Sequence, residues 1–187
     1  MINIYISEFF MRTHLLSFFT ALVLIPFSVF ALEYPIGKPK NLHGMEIGAV
    51  YLQAVVMKPS MGLPANKADV HLEADIHALE DNPNGFPPGA WMPYLGIHYE
   101  LTRAGSNQSI NGEFHPMVAS DGPHYGTNVK LAEPGRYHLK FTINPPTVNG
   151  MPFMRHVDKE TGVAPWFKPF SVEYDFVYAG VGKKGGY

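Results

Sequence analysis

The residues best equipped for chemistry lie in the stretch Ala68-Asp69-Val70-His71-Leu72-Glu73-Ala74-Asp75-Ile76-His77-Ala78, where apolar and metal-competent side chains alternate without a break. Successive side chains on a strand point to opposite faces, so Val70, Leu72, Ala74 and Ile76 share one face and His71, Glu73, Asp75 and His77 the other. Same-face neighbours on a strand stand roughly 6.5–7 Å apart, too far for four adjacent groups to hold one ion. One or two of them can serve as ligands if other segments supply the rest. The plainer alternative is an edge strand whose polar face is simply wet.

Two later stretches offer the missing ligands. In Met117-Val118-Ala119-Ser120-Asp121-Gly122-Pro123-His124-Tyr125-Gly126 a strand ending at Met117 is expected to enter a turn that presents His124. Thioether suits Cu(I), while imidazole binds both oxidation states of copper, so this pairing points to copper. In Asn149-Gly150-Met151-Pro152-Phe153-Met154-Arg155-His156-Val157-Asp158 a long connection without strand pattern carries a further histidine, and connections of that length usually carry function or disorder. Asp75 and His77 read as solvated groups or as partners that orient a ligating imidazole. Trp91 and Met92 read as packing or interface residues, and His98, His115 and His138 as structural. His43, Met45 and Glu46, near the mature N-terminus, are disfavoured as a second, weaker iron site.

The elements that must position these residues read as strands. Gly, Pro, Phe and Tyr are abundant and no segment keeps a 3.6-residue apolar period, so the chain is expected to be all-β. Strands are expected at 46–56, 68–78, 92–101, 112–117, 128–131, 136–143 and 171–178, separated by turns rich in Gly, Pro and Asn. The clearest alternations are Tyr137, Leu139, Phe141, Ile143 and Val172, Tyr174, Phe176, both reading as half-buried antiparallel strands. Such a set suggests a sandwich of two sheets.

Residues 1–31 read as a secretory signal peptide, with an apolar run after Arg12 and Val29-Phe30-Ala31 at the cleavage point. The rest of the chain reads as one domain, 32–180, and a Gly- and Lys-rich tail, 181–187, expected to be flexible. No cysteine is present, which excludes disulfides, thiolate metal sites and a cysteine nucleophile. The formal net charge of -2 and the lack of a Lys/Arg cluster argue against nucleic acid as a partner.

These three stretches, with Gly62-Leu63-Pro64, Thr161-Gly162-Val163 and Trp166, resemble the signatures of the periplasmic iron-transport proteins, homodimeric copper- and iron-binding accessory proteins of a bacterial iron permease system. The likeness spans about residues 33–178. It implies an immunoglobulin-like antiparallel β-sandwich and a copper site of His71, Met117, His124 and His156, with Glu73 as a further or alternative ligand. It also implies a periplasmic location, a homodimer with the sites near the subunit interface, where one ligand can come from the partner chain, an inner-membrane iron permease as partner, and iron as cargo with manganese as a surrogate.

Three imidazoles and one thioether make a neutral, mixed-softness site for copper, whereas Fe(II) or Mn(II) calls for the harder Glu73 carboxylate. Because imidazole binds metal only when neutral, occupancy is expected to fall below pH ~6.5. The competing classes are a copper-dependent oxidoreductase acting on iron, which needs an open coordination position, and an immunoglobulin-like structural or adhesion module. A cupredoxin electron carrier is excluded in its usual form, because that site needs a Cys thiolate.

Overall fold

The computed structural model describes residues 33–131 and 133–180, so the expected signal peptide and tail lie outside the described residues. The described chain forms β1 (Tyr34–Pro35), β2 (Lys40–Leu42), β3 (Met45–Gln53), β4 (Val70–Ala78), β5 (Gly96–Arg103) and β6 (Ser109–Glu113). It continues with β7 (His115–Ala119), β8 (Gly122–Val129), β9 (Gly135–Asn144), β10 (Thr147–Val148), β11 (Met151–Pro152) and β12 (Phe170–Tyr178). One sheet runs β1-β3-β4-β8-β7 with β2 beside β3, a second runs β12-β9-β5-β6, and β10 and β11 make a separate hairpin. Every pairing is antiparallel.

The two main sheets form the expected immunoglobulin-like sandwich. Strand alternation supplies its core: Tyr137, Leu139, Phe141 and Ile143 of β9 and Val172, Tyr174, Phe176 and Tyr178 of β12 are all buried, opposite Ile47, Leu72, Ala74 and Ile76 of the first sheet. Truncating a fully buried ring such as Phe141 to alanine costs about 3–5 kcal/mol. At the start of β9, the Tyr137 hydroxyl donates to the Glu133 carbonyl at 2.7 Å. This contact is the tyrosine corner of immunoglobulin-like folds.

Three expected strands are corrected. The 112–117 strand is two elements, because the chain leaves the second sheet after Glu113, buries Phe114 and enters the first sheet at His115. Of the 128–131 strand only Asn128 and Val129 are strand, as the end of β8, which starts at Gly122; only Ser120 and Asp121 turn the β7-β8 hairpin. Gly122, Pro123 and Gly126 misread as turn residues, yet glycine and a strand-start proline are tolerated there. The 92–101 strand begins late, at Gly96, after Pro93 and a left-handed Tyr94 with φ 61°.

The edge-strand alternative for β4 fails. β4 lies between β3 and β8, and both His71 and Glu73 are buried although they face away from the sandwich core. The connection from β3 to β4 folds back and is tied to Asn128 of β8 at Val55 and Leu63, beside His71. The residues of the disfavoured His43/Met45/Glu46 site point different ways. Alternation turns Met45 wholly into the core while Glu46 faces outward, and His43 packs on Phe167 and Phe170.

Candidate metal centre

Register builds the site. In the β4-β8 ladder His71 stands opposite Asn128 and Glu73 opposite Gly126; in the β7-β8 ladder Met117 stands opposite His124. Directly opposed residues of an antiparallel pair share a face. His71, Glu73, His124 and Met117 therefore lie together on the outward face of three adjacent strands. Glu73 Oε1 is 3.2 Å from His124 Nε2 and 3.5 Å from His71 Nε2. One ligand atom from each of His71, Glu73 and His124 falls within 4.8 Å of the others. An ion with bonds of ~2.0–2.2 Å can bridge that separation.

Asn128 and Gly126 prepare His71. Asn128 Nδ2 donates to the carbonyls of Val55 (2.8 Å) and Leu63 (2.9 Å), so its amide oxygen must face the other way. That oxygen accepts from the Val55 N–H at 3.1 Å and lies 3.0 Å from His71 Nδ1. His71 must therefore carry its proton on Nδ1 and its lone pair on Nε2. His71 Nε2 is buried and makes no hydrogen bond. A buried polar atom left unsatisfied costs about 1–3 kcal/mol. A Cβ on Gly126 would stand 2.6 Å from that same nitrogen, so glycine keeps the space before it open. An orphaned imidazole lone pair, a second imidazole and a carboxyl converging on one point, with a thioether on the neighbouring strand, fit a copper ion.

Burial sets the charge state. It pushes His71 down to about 4, with the Asn128 bond partly opposing, and it pushes Glu73 up to about 8, helped by the negative neighbours Asp75, Glu33 and Asp121. Near neutral pH His71 is an uncharged ring with a free lone pair, and burial keeps the Glu73 carboxyl largely protonated. Burial thus keeps the His71 ring neutral to lower pH than a free imidazole.

A cavity of about 220 Å³ opens beside the cluster, lined by Glu33, Glu73, Asp75, His77, Asp121 and His124 among others. Glu33 is raised to about 7 by burial, by a hydrogen bond to the Asp121 side chain and by the charge of Asp75; burial also raises Asp75. Sequence reasoning missed Glu33, a lone acid ahead of a two-residue strand. Asp121 stood in the second stretch only as a turn residue, and the hairpin geometry gives it this place.

His156 is not part of the His71-Glu73-His124 cluster. It lies between β11 and β12 with its side chain 75% exposed and Nδ1 2.7 Å from Thr161 Oγ1. The segment around it is anchored by the Trp166 indole donating to the Phe153 carbonyl at 2.7 Å. His98 and His138 lie on the second sheet, away from the cluster, with Nδ1 2.9 Å from Glu113 and 3.0 Å from Asp175, whereas His115 of β7 stands opposite Gly126. Among the described residues no helix is long and apolar enough to cross a membrane.

An immunoglobulin-like sandwich that carries two imidazoles, a carboxyl and a thioether on three adjacent strands of one face defines a metal-binding β-protein. More narrowly, the chain belongs to the Fe2+ transport protein family, whose profile matches residues 30–180. It is 57% identical over 178 residues to a UPF0423 protein of Brucella abortus strain 2308, covering 91% of this chain and 98% of that one. It is 40% identical over 149 residues to the 34 kDa membrane antigen of Treponema pallidum strain Nichols, covering 76% of this chain and 72% of that protein. Among solved structures it resembles copper-reconstituted P19 of Campylobacter jejuni, at 53% identity and TM-score 0.77, covering 81% of this chain and 99% of that one. It equally resembles a copper-bound variant of FetP from uropathogenic Escherichia coli strain F11, at 54% identity and TM-score 0.76, covering 80% and 99%.

Proposed function

We propose that the chain is a periplasmic protein of high-affinity iron uptake, exported by residues 1–31, that holds copper through His71, Met117, His124 and the partner subunit's His156. Glu73 stands beside these ligands as a further or alternative one. The observation that carries this reading is the buried, unpartnered His71 Nε2, fixed by Asn128 and kept clear by Gly126, aimed where His124 and Glu73 converge. Family membership and the copper-bound state of the related P19 and FetP structures support the choice of metal.

A homodimer is supported by the segment that carries His156. Met151, Met154 and Val157 expose apolar side chains there, Met154 to 91%, which is the composition of a surface awaiting a partner. In the dimer the partner subunit's His156 completes a ligand set that one chain leaves short. Bound copper would supply one-electron chemistry. The carboxyls of Glu33, Asp75 and Asp121, hard oxygen donors in the adjoining cavity, suit Fe(II) as cargo, or Mn(II) as its surrogate. An inner-membrane iron permease is the downstream partner in this reading.

The test is elemental analysis of the exported protein, residues 32–187, after copper(II) exposure and desalting, beside His124→Ala. About one copper per chain, lost in the variant, is the expected result. Equal copper in both, or none in either, would leave an immunoglobulin-like structural module as the better reading.

A further inference from the structure

The neighbours of His156 form a small closed unit. Asp158 Oδ1 accepts from the backbone N–H groups of Glu160 (3.1 Å) and Thr161 (2.9 Å), and its Oδ2 accepts from the Thr161 hydroxyl at 2.7 Å. The same hydroxyl oxygen lies 2.7 Å from His156 Nδ1, while Asp158 Oδ2 itself is 3.8 Å from that nitrogen. The main chain closes around this group: the Gly162 N–H donates to the Asp158 carbonyl at 3.0 Å and the Val163 N–H to the His156 carbonyl at 3.1 Å. Arg155 Nη1 adds a bond to the Val163 carbonyl at 2.9 Å. Position 162 must be glycine for this closure, since a Cβ there would run into the Asp158 carbonyl and the main chain of Val157.

A hydroxyl has one proton, and a carboxylate can only accept. Thr161 therefore gives its proton to Asp158, and its oxygen must accept from a proton on His156 Nδ1. The lone pair of His156 is left on Nε2, on a side chain that is 75% exposed. His71 meets the same condition by other means, through an Asn128 oxygen whose amide donors are already engaged. Which nitrogen of an imidazole can take a metal is set by the partner of the other. Two histidines from distant parts of the chain are thus each held at Nδ1 by an acceptor that has no proton to offer.

We propose that Thr161 and Asp158 are positioning residues that hold His156 as the Nδ1–H tautomer, so that Nε2 is presented ready-made to a metal bound by a second copy of the chain. This rests on the reading of His156 as a ligand. It adds a reason for the sequence between Arg155 and Val163: the turn sets the chemistry of one nitrogen before any metal arrives.

The test is made on exported, metal-free protein by long-range ¹H–¹⁵N correlation of the histidine rings above the imidazole titration range. In the wild type, His156 should show Nδ1 protonated and Nε2 bare. Thr161→Val should release the ring into a mixture containing Nε2–H, and Thr161→Ser should restore the wild-type signal. Copper competition titrations should then show Thr161→Val binding about 10-fold more weakly, again restored by serine. A wild-type ring protonated on Nε2, or a Thr161→Val spectrum unchanged from wild type, overturns the proposal. So does a changed tautomer with unchanged copper affinity, since the turn would then position nothing for the metal. If His156→Ala binds copper as tightly as wild type, the ligand reading falls and the purpose of the turn with it, although the metal-free spectra stand independently.

Discussion

Gly126→Ala tests where the metal is held. Gly126 lies in β8 opposite Glu73, and its backbone is not among the left-handed glycines, so alanine meets no conformational objection. The objection is spatial. The new Cβ would stand 2.6 Å from His71 Nε2, 3.2 Å from His71 Cε1 and 3.1 Å from the Leu72 carbonyl oxygen. Ordinary contacts of this kind begin near ~3.5 Å, so the ring must retreat by roughly 1 Å. It is held at Nδ1 by Asn128 at 3.0 Å, and Asn128 is itself fixed by bonds to Val55 and Leu63. Either that bond is lost, at about 1–3 kcal/mol, or the strand shifts, at a similar overpacking cost of about 1–3 kcal/mol. Urea unfolding of the metal-free protein should report a loss in that range. Competition against a copper chelator should report affinity weakened by about 10–100-fold, as for other disturbed ligand supports. Gly48→Ala in β3 is the control, because its Cβ meets only Asp75 at an ordinary 3.6 Å, and it should bind copper as wild type does. A folded Gly126→Ala protein with wild-type copper affinity would refute the assignment of His71 Nε2 as a ligand.

Three further outcomes are expected. Asn128→Leu removes the acceptor of His71 Nδ1, so ring ¹⁵N signals should show Nε2–H appearing and copper affinity should fall about 10-fold or more; unchanged ring signals would count against the tautomer argument. Glu73 is raised from 4.5 to about 8, so the folded metal-free protein keeps a proton that the unfolded chain has released. The stability Glu73 contributes is thus complete below pH ~4.5 and is lost as pH rises toward ~8, at up to ~1.4 kcal/mol per unit. Glu73→Gln should accordingly gain stability relative to wild type as pH climbs through that window in urea unfolding, and a gap independent of pH would contradict the burial argument. Tyr137→Phe deletes the hydroxyl that donates to Glu133 and should cost about 1 kcal/mol, read as a melting point lower by about 2–4 °C, with copper binding untouched.

Much of the fold was legible because half-buried strands announce themselves. The alternation in β4, β9 and β12 names the inward residues directly, and the structure buries those residues. The errors cluster where glycine and proline occur inside strands. Gly122, Pro123 and Gly126 signalled a loop, and so His124 was expected on a turn when it is paired in register with Met117.

Residue types and their order were enough to require that two β-sheets pack, that His71 and Glu73 share a strand face, and that, without thiolates, imidazole and thioether be the soft donors. Each of these rests on residue type and on the two-residue period of a strand, both of which are local. Tertiary packing was needed to make β4 central, to cover the outward face of its His71 and Glu73, and to bring Glu33 into the acidic cavity from the start of the described chain. The same holds for the protonation of His71, governed by Asn128, 57 residues away. Burial and hydrogen-bond direction depend on which strands become neighbours, and no period within one strand records that.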